Sequence, residues 1–108
     1  MNKPILIVGG GPAGLAAAHA LARVGQNSVL VEKQDRLGGA PILSGYAKLV
    51  PSGEWARDAI GGMVDRVRND PLVDVQTDAR VESFAGQPGA FSARLSNGAS
   101  VDAAAAIL

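Results

Sequence analysis

The chain has 108 residues, ten Lys and Arg against ten Asp and Glu, and a hydrophobic fraction of 47%. Those values describe a single globular core and no more than one domain, and the cancelled charge leaves no field to draw in nucleic acid or an anionic membrane. Cysteine is absent, which excludes disulfides, thiolate metal sites, a cysteine nucleophile and a cysteine-ligated iron–sulfur cluster from these residues, and no metal site is expected.

Met1-Asn2-Lys3-Pro4 enters an apolar run, Ile5-Leu6-Ile7-Val8, directly. That start leaves no room for a signal peptide, and every apolar stretch falls well short of the roughly 20 residues that span a bilayer. A soluble, cytoplasmic protein is the expectation. After Val8 come Gly9-Gly10-Gly11-Pro12-Ala13-Gly14 and then an alanine-rich stretch from Leu15 to Val24, an order that reads as strand, tight turn and helix. Gly9, Gly11 and Gly14 form G-x-G-x-x-G, in which one glycine makes the turn, the second lets a pyrophosphate approach the backbone, and the third lets helix and strand pack closely. Ala18, one turn beyond Gly14, continues the small-residue face. Pro12 suits a first helical turn, whose N–H groups have no helical partner, and the positive end of the helix then faces whatever anion lies over the glycines.

Gly25 stops the helix, and Ser28-Val29-Leu30-Val31 is a second strand that ends on Glu32, 18 positions after Gly14. An acid at about 20 residues from the glycines is suited to a ribose hydroxyl. Strand, turn, helix, strand and acid fall in register, and a dinucleotide site is the reading against a turn that needs glycine for geometry alone. Glu32 disfavours NADP, because a carboxylate facing a 2′-phosphate is a like-charge contact. Lys33 could offset that charge and is kept among the candidate contacts, although a residue after a strand-end acid more often points to solvent.

From Glu32-Lys33-Gln34-Asp35-Arg36-Leu37-Gly38-Gly39 onward the sequence resembles the FAD-binding domain of the two-dinucleotide-binding-domain flavoproteins, the class of glutathione reductase. The resemblance implies FAD, with the pyrophosphate on Gly9, Gly11, Pro12, Ala13 and Gly14, the adenosine ribose on Glu32, and close backbone approach at Gly38 and Gly39. In disulfide reductases of that class a cysteine pair follows the Gly-Gly; here Ala40-Pro41-Ile42-Leu43-Ser44-Gly45 carries no thiol, so dithiol chemistry is not expected.

Residues 40–53 carry Pro41, Gly45, Pro51 and Gly53 and read as loop. Glu54 to Asn69 reads as a helix: Ala56, Ala59, Ile60, Met63, Val64 and Val67 share a face, Ser52 can cap it, and Pro71 stops it. Gly61-Gly62 count against that helix, at about 1 kcal/mol each relative to alanine, and are expected to allow close packing on a neighbour. Val73 to Thr77 alternates as a third parallel strand. Arg80–Phe84, Ala90–Leu95 and Ser100–Ala103 are three further short strands, broken at Gly86-Gln87-Pro88-Gly89 and at Ser96-Asn97-Gly98, in which Asn-Gly is a strong two-residue hairpin signal. Ala103 to Leu108 is an apolar run that suits a central parallel strand.

The fold class expected is therefore α/β: a Rossmann-type parallel sheet with flanking helices and a small antiparallel β-meander as a crossover. That meander is a feature of the same flavoprotein class, and the resemblance adds Val81 as a backbone contact to the adenine. Over Gly38 to Leu108 the sequence is similar to the flavin domain of the A-type subunits of heterodisulfide reductase, through the Gly-Gly loop, a proline before a Trp55-led helix, Asn69-Asp70-Pro71, the Val73-x-Val75-x-Thr77-x-Ala79-x-Val81 pattern and Gly89-x-Phe91. Iron–sulfur cysteines that such proteins carry after the Gly-Gly are absent.

In that family the last strand runs on toward the flavin ring, so residues 1–108 are expected to be the N-terminal part of an FAD-binding domain, carrying the ADP half of the site and inactive alone. The complete protein is expected to be an FAD-dependent oxidoreductase working with a nicotinamide or a redox partner protein. The alternatives are an NAD- or NADP-binding module and a non-catalytic flavin-carrying protein. No catalytic residue can be named: His19, the lone histidine, reads as a surface residue, and Ser44, Tyr46 and Lys48 form no nucleophile–base pair.

Overall fold

The computed structural model describes residues 3–38 and 53–108, with the side chains of the second helix described from Gly61 onward. Ser44, Tyr46, Lys48, the capping role of Ser52, and Gly39 lie outside the described residues, as do the side chains of Trp55, Ala56, Ala59 and Ile60.

Four parallel strands form the centre. β1 (Ile5–Val8), β2 (Ser28–Val31), β3 (Val73–Gln76) and a last strand, Ala105–Ile107, lie in the order β3, β2, β1, last strand. Ile5 stands opposite both Ser28 and Ala105, and Val31 opposite Gln76. Side chains alternate across a strand, so Leu6, Val29 and Val31 enter one core while Ile7 and Leu30 enter another. Continuous apolar runs are what a sheet covered on both faces requires.

The first cover is helical. α1 (Pro12–Arg23) buries Leu15 and Ala18, and α2 (Gly53–Asn69) buries Val67 with Met63 and Val64 beside it, against Ile7, Leu30 and Val73. α1 ends in a Schellman motif, with Gly25 at φ 80° and the Gln26 N–H donating to the Leu21 carbonyl at 2.9 Å. Gly61 and Gly62 have no atom of the described residues within 4 Å of where a Cβ would stand. Close approach at this pair is therefore not seen among the described residues, although both glycines are half-buried.

The second cover is the antiparallel meander of β4 (Val81–Gln87), β5 (Ala90–Leu95) and β6 (Ser100–Ala103). Ala93, Leu95, Val101 and Ala103 are buried against Leu6, Val29 and Val31, while Phe84 and Phe91 stack at 4.9 Å between ring centroids. The β5–β6 turn differs from a two-residue hairpin. The Leu95 N–H donates to the Ala99 carbonyl at 2.8 Å and the Gly98 N–H to the Leu95 carbonyl at 3.1 Å, with Gly98 at φ 91°. That is a three-residue loop, 96–98, in which glycine takes the left-handed position after the turn and Asn97 does not.

The apolar run from Ala103 to Leu108 also divides. Ala103 closes β6, Ala104 donates its N–H to the Pro4 carbonyl at 3.0 Å, and Ala105–Ile107 then forms β7 in the other sheet. β7 pairs only with β1 among the described residues and stands at the sheet edge, with Ile107 and Leu108 exposed.

Candidate functional site

The chain leaves β1 outward to β2 and β3, then crosses through the meander to β7 on the other side of β1. The strand order thus reverses at β1, and such a switch point opens a crevice at the carboxyl ends of the strands. The residues at that end are Val8-Gly9 and Val31-Glu32.

Gly9 turns the chain at φ 111°, and its N–H donates to the Val31 carbonyl at 2.8 Å. Gly14 lies over this turn so closely that a Cβ there would run into the Gly9 carbonyl oxygen. At Gly11, by contrast, a Cβ would meet nothing within 4 Å. The glycines of the motif thus do different work: one bends, one seats the helix on the turn, and one leaves space. Gly11 is the N-cap of α1, with no side-chain capping bond, Pro12 opens the first turn, and no acidic residue lies in that turn. The N-terminal N–H groups and the positive end of the dipole are left for an anion.

Glu32 is buried to 8% exposure. Its Oε1 accepts the Gly10 N–H at 2.8 Å and its Oε2 the Gln34 N–H at 2.7 Å. Two such bonds hold the carboxylate across the end of β1, and each oxygen keeps a lone pair for a further donor such as a hydroxyl. Gly10 is only an "x" of the sequence motif, yet it is a required glycine. A Cβ there would approach Leu37 Cδ2 to 2.5 Å, and its carbonyl accepts the Gly38 N–H at 2.7 Å. The run of three glycines was the available signal. Gly38 therefore ties its own loop to the glycine turn.

A cleft of about 360 Å³ opens beside Glu32, lined by Val8, Gly9, Val31, Lys33, Ala79, Arg80 and Val81 as well. A second recess, of about 230 Å³, runs from Val8 and Gly9 over Gly11, Pro12, Ala13 and Gly14. Val8 and Gly9 border both, so the two recesses adjoin at the end of β1. Eight of the ten sequence-derived contacts line one or other of them: Glu32, Lys33 and Val81 the first, Gly11, Pro12, Ala13 and Gly14 the second, and Gly9 both. Gly38 lines neither and Gly39 is outside the described residues. Ala79 and Arg80 were missed as lining residues, although the Ala79 N–H donates to the Glu32 carbonyl at 3.0 Å. His19 is not among the lining residues of either recess.

A family model for FAD dependent oxidoreductases matches residues 4–97. The chain belongs to the FAD-dependent oxidoreductase family. FAD is the cofactor of that family, and the residues here suit its ADP half: a helix end without its own cap borders one recess, and a buried carboxylate with spare lone pairs borders the other. The chain is 44% identical over 71 residues to urocanate reductase of Eggerthella lenta, covering 64% of this chain and 12% of that protein. With the A-type iron-sulfur subunit of CoB–CoM heterodisulfide reductase from Methanocaldococcus jannaschii it shares 35% identity over 91 residues, 84% of this chain and 14% of that one. It thus spans about an eighth of the length of these curated relatives. L-proline dehydrogenase from P. horikoshii superposes with a TM-score of 0.77 at 19% identity, over 98% of this chain and 22% of that structure, which shows a shared fold. No helix among the described residues is long and apolar enough to cross a membrane.

Proposed function

We propose that these residues hold the ADP half of FAD within the flavin domain of an oxidoreductase. The observation that carries the reading is the pair of recesses that meet at Val8 and Gly9, one bearing the Glu32 carboxylate and the other the uncapped N-terminus of α1. Glu32 accepts hydrogen bonds from the adenosine ribose, the first turn of α1 and the Gly11 backbone receive the pyrophosphate, and Val81 meets the adenine through its backbone. Lys33 is exposed at the rim and faces the nucleotide from solvent. FAD supplies the redox chemistry when bound; the residues here bind and orient it. Residues 1–108 form the N-terminal part of that domain, the electron donor is a nicotinamide or a redox partner protein, and the protein works in the cytoplasm.

The Glu32 carboxylate disfavours the 2′-phosphate of NADP, and the family match supports a flavin. The test is mass spectrometry of the small molecule released by acid from the full-length protein. FAD is expected. NAD or NADP without flavin would overturn the reading in favour of a nicotinamide module.

A further inference from the structure

The wall of the cleft opposite Glu32 is the segment Ala79-Arg80-Val81, and nothing in its own sequence makes it rigid. It follows Asp78, which sits at φ 53°, in the left-handed region. Pairing with the β2 end secures only its start, through the Asp78 N–H on the Gln34 carbonyl at 2.8 Å and the Ala79 N–H on the Glu32 carbonyl at 3.0 Å. At the other end the β4–β5 ladder is irregular: Val81 pairs with Leu95, but the register shifts before Ser83.

The gap is bridged from the β5–β6 turn. Ser96 Oγ accepts the Arg80 N–H at 2.9 Å, and the Ser96 N–H donates to the Arg80 carbonyl at 2.8 Å. One residue of the turn thus takes both backbone groups of Arg80, the residue next to Val81. Asn97 steadies the turn in its place, with Nδ2 donating to Gln76 Oε1 at 3.1 Å and Oδ1 accepting the Ala99 N–H at 3.0 Å. The turn is latched to the end of β3 on one side and to the cleft wall on the other.

We infer that Ser96 is a positioning residue for adenine recognition: its reciprocal bonds to Arg80 fix the backbone at Val81 against which the adenine edge is read. This rests on the assignment of the cleft to the adenosine of FAD. A backbone group reads a base by hydrogen-bond polarity. Hypoxanthine reverses that polarity at both positions of the pairing edge, carrying a carbonyl where adenine has an amino group and an N–H where adenine has N1.

The test titrates the full-length apoprotein with FAD and with its hypoxanthine analogue. Wild type is expected to prefer FAD. In Ser96→Ala the preference narrows by about three- to tenfold, the range of a neutral hydrogen bond, with the apoprotein unfolding midpoint unchanged; Ser96→Thr, which keeps the hydroxyl, retains the wild-type preference. A wild-type preference left intact in Ser96→Ala, equal loss of affinity for both ligands, or a wild type blind to the difference overturns the role of Ser96 alone. A wild type that binds neither ligand overturns the assignment of the cleft as well.

Discussion

The turn from Gly9 to Gly14 and the pair Gly61-Gly62 in α2 are both rich in glycine, but they use it differently. In the turn, a Cβ at Gly14 meets the Gly9 carbonyl and one at Gly10 meets Leu37, while at Gly61 and Gly62 it meets no atom of the described residues. The difference lies in what surrounds each glycine. A turn that seats a helix on a strand end sets backbone against Gly14 and side chains against Gly10, while Gly11 is left open. Half-buried Gly61 and Gly62 have no such neighbour among the described residues, and glycine there forfeits helix propensity.

Substitution separates the two regions. The largest effect belongs to Gly14→Ala, where backbone faces backbone and nothing yields cheaply: a loss of about 3 kcal/mol in urea denaturation is expected, at the upper end of overpacking costs, together with loss of FAD binding. Gly10→Ala sets a methyl group against the end of the Leu37 side chain, which can swing away, so a loss of about 1–2 kcal/mol is expected by the same measurement. Gly61→Ala and Gly62→Ala reverse the sign, each raising the unfolding free energy by about 1 kcal/mol and leaving FAD affinity unchanged. A destabilising Gly61→Ala would show that the pair packs on something after all and would erase the contrast.

Much of the fold was legible because local pattern and tertiary demand agree over residues 5–32. An apolar run, a glycine turn opened by proline, an alanine-rich helix and an acid at the next strand end each state one requirement of the same βαβ unit. The meander was legible for a similar reason: Ala93 and Leu95 alternate with Ser92 and Arg94, and the first pair is buried. What escaped depends on relations no single segment carries. The split of Ala103 to Leu108 between two sheets turns on Ala104 bonding Pro4, a hundred residues earlier in the chain. Ser96-Asn97-Gly98 marks the break between β5 and β6, but the bonding of Leu95 with Ala99 that closes it as a three-residue loop rather than a two-residue hairpin spans the break and is written in none of its residues.

The site divides along the same line. Residue type marked Glu32 and the motif glycines, because a carboxylate and a missing side chain are chemical statements. Gly10, Ala79 and Arg80 enter through their backbones and through the company they keep, and Ser96 is 16 residues from the amide it accepts. Type alone says nothing of such positions.

The central claim is that Glu32 receives the adenosine ribose, and the most direct measurement is a thermodynamic cycle on the full-length apoprotein. FAD and an analogue lacking the two hydroxyls of the adenosine ribose are titrated into wild type and into Glu32→Ala. The account predicts that wild type binds the analogue at least about tenfold more weakly than FAD, as loss of a charge-assisted hydrogen bond requires, and that Glu32→Ala, weakened at least about tenfold toward FAD, no longer distinguishes the two. Wild type that binds FAD and the analogue alike would contradict it, and would leave Glu32 as a brace for Gly10 and Gln34 alone.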